Sequence, residues 1–225
     1  MEVLFEDNHL IAVNKRVGEI VQSDPTGDTP MDDEVKAYIG EKYAKPGAVF
    51  LGVVHRIDRP VSGVVLFART SKALARLNQM FQDKTIKKTY WAIVKNKPPM
   101  ETDTLTHYLT RDTKRNKAHA HDKEVKGSLL SSLTYSVLQT SDNYTLLEID
   151  LHTGRHHQIR CQLAAIGCPI KGDLKYGYAR SNPDGGISLH ARSMVFEHPV
   201  TQEIVRIVAP VPDEKLWKYF EGARS

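Results

Sequence analysis

Residues 85–95 read TIKKTYWAIVK, and their alternation decides the fold class. Ile86, Lys88, Tyr90, Ala92 and Val94 fall on one face of an extended strand, and Lys87, Thr89, Trp91 and Ile93 on the other. Three more strand-like runs follow at 104–109, 132–139 and 144–151. A short strand reads at 9–14 (HLIAVN) and a late one at 203–209 (EIVRIVA). Helical spacing is confined to four places. One helix opens on Thr29 as N-cap with Pro30 in its first turn and Asp32 three residues after the cap, and it buries Val35, Ile39 and Tyr43. A second opens at Ser71 with Leu74, Leu77 and Phe81 on one face. A third runs from about Arg155 to Ile166 with Gly167 as its stop, and a last one from Pro212-Asp213 through Phe220. Strands that outnumber helices and follow one another directly predict an α+β fold. Its centre would be a mixed, mostly antiparallel sheet with flanking helices and loops forming a cleft.

The chain has 225 residues, which reads as one large domain over 1–225 that needs no disulfide staples. Apolar residues make up 40% and charged residues 26%, values that exclude a disordered, collagenous or membrane-spanning chain. The longest near-apolar run, 47–54, is too short to cross a bilayer. The first seven residues, MEVLFED, are acidic and lack the basic start of a secretory signal. Lys and Arg number 31 against 27 Asp and Glu, so the position of the charge says more than its total. Cys161 and Cys168 are seven residues apart, and on a helix their alpha carbons would be about 10.5 Å apart. That is beyond the reach of a disulfide, and two free thiols fit a reducing cytoplasm.

Four segments carry polar groups in patterns that suggest chemistry. The first, His55-Arg56-Ile57-Asp58-Arg59-Pro60-Val61-Ser62-Gly63, lies between the apolar runs 48–54 and 64–68. A carboxylate between two arginines on such a turn stays ionised, as a nucleophile or base requires, although Asp58 paired with an arginine could equally serve only to fix the loop. The second is LHTGRHHQIR at 151–160, a strand-to-helix junction where Gly154 permits a tight turn. Arg155, His156, His157, Gln158 and Arg160 there suit an anionic partner. A zinc site would need a further Cys, His or carboxylate ligand, and no H-E-x-x-H or paired C-x-x-C is present. The third is Tyr90 beside Lys87 and Lys88, an aromatic able to stack on a base while lysines meet phosphates. The fourth is 111–126, RDTKRNKAHAHDKEVK, which reads as a mobile basic loop, with Arg111, Lys114, Arg115 and Lys117 free to touch an RNA backbone or only water.

Taken together these segments resemble the RluA-type pseudouridine synthases over almost the whole chain, from about His9 to Pro212. HRIDRPVSG resembles the family's H-R-L-D-x-x-T-S-G loop, and KKTYWAIV its K-x-Y-x-A-x-V motif. LHTGRHHQIRCQLAAIGCPIKGDLKYG is similar to the third motif, G-R-x-H-Q-I-R followed by G-x-P-I and G-D-x-x-Y-G. LHARSMVFEHPVT resembles the segment L-H-A-x-x-x-x-F-x-H-P. Ile57, Val61 and His156 stand where leucine, threonine and threonine are usual, and none of the three removes a proposed catalytic group. The family's frequent N-terminal S4-type domain is not expected, because the catalytic motifs begin almost at Met1.

The resemblance implies isomerisation of uridine in ribosomal or transfer RNA, by an enzyme expected to be a cytoplasmic monomer with no membrane partner. Asp58 is then the essential carboxylate, Arg155 its ion-pair partner, and Tyr90 the residue stacked under the uracil. Arg56 would fill the space left by the flipped uridine, while His55, Arg59, Lys88, Arg160, Lys114, Arg115 and Lys117 would bind the RNA. No Walker, Rossmann or zinc signature is present and the isomerisation needs none, so neither cofactor nor metal is expected. Two rival readings remain. A catalytically silent RNA-binding module would be expected to have lost Asp58, Tyr90 or Arg155, and a hydrolase or nuclease would need a metal cluster or a nucleophile–base pair.

Overall fold

The structure is a computed structural model and describes residues 1–222. In chain order the elements are β1 (Glu2–Glu6), β2 (Leu10–Lys15), α1 (Met31–Lys42), β3 (Gly52–Val53), β4 (Ser62–Ala68), α2 (Ser71–Gln82) and β5 (Lys87–Val94). They continue with β6 (Thr102–Asp112), β7 (Lys117–His121), β8 (Leu129–Thr140), β9 (Thr145–Leu151) and α3 (Gln158–Ala165). A single 3-10 turn (Leu174–Tyr176), β10 (Leu189–Glu197), β11 (Ile204–Val208) and α4 (Lys215–Gly222) complete the chain. The fold is α+β, as the strand-rich order predicts. It comprises two compact units, one made of Met1–Lys87 with Ala191–Pro212, the other of Lys88–His190 with the described residues 213–222.

In the first unit the strand order is β1-β2-β4-β10, with β3 on β4 and β11 on β10. β1–β2, β2–β4, β3–β4 and β10–β11 pair antiparallel. Every residue of β4 is buried, which explains its unbroken apolar run VVLFA. The β2–β4 register sets Lys15 opposite Gly63. Gly63 is obligatory: at φ 116°, a Cβ there would lie 2.2 Å from the Ala191 carbonyl oxygen of β10. α2 is capped by the Thr70 hydroxyl, which accepts the Ala73 N–H, and it buries Ala73 and Leu77 against Leu10, Leu66 and Phe196. α1 starts differently from the sequence expectation. Pro30, not Thr29, is the N-cap, and no side chain caps it. The first N–H groups, of Met31 and Asp32, instead donate to the carbonyls of Ile20 and Val21 in the preceding loop. After β10, His198 fixes the turn into β11: its Nδ1 accepts the N–H groups of Val200 and Thr201, and its Nε2 faces the Asp7 carboxylate at 2.9 Å.

The second unit is an antiparallel sheet in the order β5-β9-β8-β6-β7. α3 packs against β6 and β7 through an almost wholly buried set of residues from Gln158 to Leu163. Gln162 is held in this core by donating from Nε2 to the Leu105 carbonyl and to His107 Nδ1. Leu109, Ala118, Cys161 and Tyr176 form a second small cluster. Both cysteines are free and buried. Among the described residues no helix is long and apolar enough to cross a membrane.

Within the segment 111–126, residues 111–121 are a hairpin and not the loop that their composition suggests. Asp112 pairs with Lys117 across a four-residue turn in which Asn116 takes φ 49°, so β6 and β7 form a hairpin. Ala118 is its apolar anchor, buried in the cluster with Leu109, Cys161 and Tyr176. Only one alanine in the run is buried, too little apolar content to reveal a strand by pattern.

Candidate functional site

The Asp58 turn is built from below by a residue that the sequence reading passed over. Lys15, fully buried at the end of β2, donates from Nζ to the carbonyls of Arg16, Arg59 and Val61, the last at 2.7 Å. The Asp58 carbonyl accepts the Val61 N–H at 2.9 Å, closing a turn over Arg59-Pro60. Burial pushes the Lys15 ammonium down to about 8, opposed by the charges of Glu19 and Asp58. Lys15 is thus a cation electrostatically coupled to Asp58. The signal available in the sequence was a lysine closing the apolar strand HLIAVNK.

The flanking residues divide their work. His55 Nε2 accepts the Leu66 N–H at 2.9 Å, and its ring stacks on Phe81 with centroids 5.2 Å apart, so it anchors the loop to β4 and α2. Arg59 reaches toward the loop that precedes α1. Its guanidinium binds Asp28 at 2.6 Å, Thr26 Oγ1 at 2.7 Å and Asp24 at 3.4 Å, clamping the loop 24–28. Short-range hydrogen bonding fills that guanidinium with the nearest carboxylates, which sequence distance had hidden. Arg56 is exposed and Ile57 buried, so the turn presents arginine outward on an apolar foot.

A protonated Lys15 has three N–H bonds for three carbonyls, and a neutral one has two. We therefore expect kcat on saturating substrate to fall along a limb near pH 8 as the turn loosens. In Lys15→Met that limb should disappear, with kcat lowered roughly tenfold or more at neutral pH. The sign for stability is opposite. The folded-state value lies below the unfolded one, so between pH 8 and 10.5 the unfolded chain binds more protons and this group's contribution to stability rises with pH. A limb that follows alkaline unfolding, or persists unchanged in Lys15→Met, would remove Lys15 from the account.

In the second unit, Tyr90 lies on β5, buried and paired across to Ile149 of β9. Lys88, two residues earlier, is half-buried, and burial lowers its pKa. Its Nζ would stand 3.5 Å from a Cβ at Gly154, ordinary contact distance, which places this ammonium beside the Arg155 turn. The backbone at Gly154 is not left-handed. The left-handed residue of the motif is His157, at φ 51° and ψ 25°, and it delays α3 to Gln158, three residues later than the periodicity suggested.

Gln158 fastens the turn. Its Oε1 accepts the Arg155 N–H at 3.0 Å and the Thr153 hydroxyl at 2.7 Å, while its Nε2 donates to the Ser132 carbonyl and to Gln162 Oε1. The exposed Arg155 side chain is thereby carried on a backbone tied to β8 and to the interior of α3.

Arg160 is corrected by its surroundings. It meets Asp173 through Nε at 2.6 Å and Nη2 at 2.8 Å, with side-chain exposures of 6% and 1%. A bidentate pair so deeply buried is a framework contact, not a phosphate contact. Lys114 and Arg115 are exposed on the hairpin turn, and Lys117 Nζ lies 5.3 Å from the Tyr176 ring centroid. The structure thus groups His55, Arg56, Asp58 and Arg59 with Lys15 in one unit. In the other it groups Lys88 with the Arg155 turn, and Lys114, Arg115 and Lys117 on the hairpin.

Residues 9–165 match the family model described as RNA pseudouridylate synthase. The chain is 33% identical over 215 residues to the uncharacterised RNA pseudouridine synthase YhcT of Bacillus subtilis, covering 94% of this chain and 69% of the relative. It is 32% identical to the ribosomal large subunit pseudouridine synthase D of Xylella fastidiosa, covering 95% and 67%. To the tRNA pseudouridine synthase C of Pasteurella multocida it is 29% identical, covering 96% and 93%. Among solved structures, human RNA pseudouridylate synthase domain containing 4 superposes with a TM-score of 0.80 over 98% of this chain and 92% of that one, at 20% identity, a likeness of fold.

Proposed function

The chain belongs to the RNA pseudouridylate synthase family, of RluA type, and from that premise we propose that it isomerises particular uridines of ribosomal or transfer RNA with Asp58 as the essential carboxylate. In the reaction the N1–C1′ glycosidic bond breaks, the uracil turns, and C5 bonds to C1′. The proton at C5 leaves and N1 gains one, so the change is an isomerisation with no net redox step. The observation that supports the reading is the Asp58 turn, a carboxylate between Arg56 and Arg59 on a backbone whose Arg59 and Val61 carbonyls accept hydrogen bonds from one buried lysine. Arg155 is the cation that serves the carboxylate during turnover, and Tyr90 the ring beneath the uracil. Extruding a base from a stem costs a few kcal/mol, and the exposed Arg56 is suited to replace the lost stacking. Loops and splayed bases are the expected RNA targets. Mapping pseudouridines in RNA from cells with and without this gene tests the assignment; identical maps would overturn it.

The hairpin supplies the backbone grip in this reading. Replacing Lys114, Arg115 and Lys117 by alanine should weaken RNA binding and flatten the log–log dependence of affinity on salt by roughly 0.7–0.9 per lost phosphate contact. Single turnover at saturating RNA should change little. A slope equal to the parent's would leave these three cations solvated and without a role.

A further inference from the structure

The Arg155 turn is tied to the β6–β7 hairpin by a relay that passes through two buried side chains. Tyr176, from the 3-10 turn, accepts the Ala118 N–H of β7 on its hydroxyl at 2.7 Å. The same oxygen lies 2.9 Å from His157 Nδ1. A phenol carries one proton, and with the backbone N–H donating to its oxygen, that proton goes to Nδ1. The imidazole is therefore neutral, with its own hydrogen on Nε2. Burial, with the positive charges of Arg160, His156, Lys175 and Arg111 around it, holds His157 down to about 2, so the arrangement persists across the working pH range. Burial likewise pushes Tyr176 up to about 12 and keeps its proton in place.

His157 is also where the backbone departs from ordinary geometry. A non-glycine residue in the left-handed region stores strain that neighbouring contacts must hold. It sits between Arg155 and Gln158, the residue whose Oε1 accepts the Arg155 N–H. Its ring lies against His156 at 3.8 Å between centroids and edge-on to Tyr176 at 5.6 Å. Hydrogen bond, ring contacts and backbone strain converge on the one residue that ends the arginine turn and starts α3.

We propose that His157 and Tyr176 are positioning residues for the reaction, which hold the Arg155 turn in its catalytic setting by fastening its left-handed backbone to Ala118 of β7. The inference rests on the functional reading above, in which Arg155 takes part in turnover. It assigns the pair no contact with RNA, so its signature is a loss of rate without a loss of affinity.

The test uses the intact protein and RNA labelled with 5-tritiated uridine, taken from cells lacking the gene. Tritium release is followed in single turnover at saturating RNA, and filter binding of the same RNA gives Kd. His157→Leu removes the acceptor and suits the left-handed backbone poorly. His157→Asn keeps a side-chain oxygen as acceptor and tolerates that backbone. Both leave the Tyr176–Ala118 bond in place. The rate should fall roughly thirtyfold or more in His157→Leu and stay within about fivefold of the parent in His157→Asn, with Kd within about twofold in both. Tyr176→Phe should also lose roughly tenfold or more in rate at unchanged Kd. Equal rates in the leucine and asparagine variants would overturn the proposal, as would a Kd that worsens in step with the rate. A parent protein that releases no tritium would overturn the functional reading and this inference together, whereas an active parent with a fully active His157→Leu overturns only the inference.

Discussion

Asp58→Asn should abolish pseudouridine formation, lowering tritium release from 5-tritiated uridine RNA by at least about 10⁴-fold, while folding and RNA affinity stay near those of the parent. Asparagine is close to isosteric with aspartate, and the turn is held by backbone carbonyls that the substitution does not touch. What disappears is the ability to act as a nucleophile or base, and losing such a group commonly costs four to six orders of magnitude, roughly. Substantial multiple-turnover activity in this variant would sink the assignment of Asp58.

Arg155→Met should have the next largest effect, a fall in kcat on the order of 10²–10³-fold with RNA affinity nearly preserved. The methionine retains the apolar stem and removes the charge. Gln158 bonds to the residue 155 backbone, so the turn should survive the change. If binding collapses while turnover of bound RNA is unaltered, Arg155 is a phosphate contact instead. The two variants together separate chemistry from grip, because neither touches the hairpin cations.

Much of this site was legible because its residues act within a few positions of one another. HRIDRPVSG names its own turn: Pro60 and Gly63 are where the chain bends and where two backbones meet. The alternation in TIKKTYWAIVK located β5 to within two residues at its start and one at its end. The errors came from partners distant in sequence. Nothing near Arg59 indicated that Asp24 and Asp28 would claim its guanidinium, nor near Arg160 that Asp173 would bury it. Thr29 had the composition of a cap, but the carbonyls of Ile20 and Val21 reached the helix start first. β1 has only the apolar triplet Val3-Leu4-Phe5 between two glutamates, too short a run to mark a strand within an acidic terminus. β7 was missed for the same reason, its one buried residue being an alanine. The position of α3 turned on a single backbone choice at His157 that no periodicity encodes.

The buried lysine beneath the turn has a consequence for how the enzyme is made. Lys15 reaches the Arg59 and Val61 carbonyls across 44 and 46 residues, so those bonds exist only after β2 and β4 have found their register. Gly63, at the start of β4, closes against the backbone of Ala191, in a chain of 225 residues. Contacts so far apart repay their closure entropy only once the intervening segments are in place. The hairpins of the second unit are local and can form while the ribosome is still at work. The Asp58 turn cannot, because the strand that seals it, β10, follows the whole of β5–β9 and α3 in the chain. Shaping of the turn therefore waits for β10: a chain that stops short of it can carry the aspartate and most of its motifs, yet have no shaped turn with which to use them.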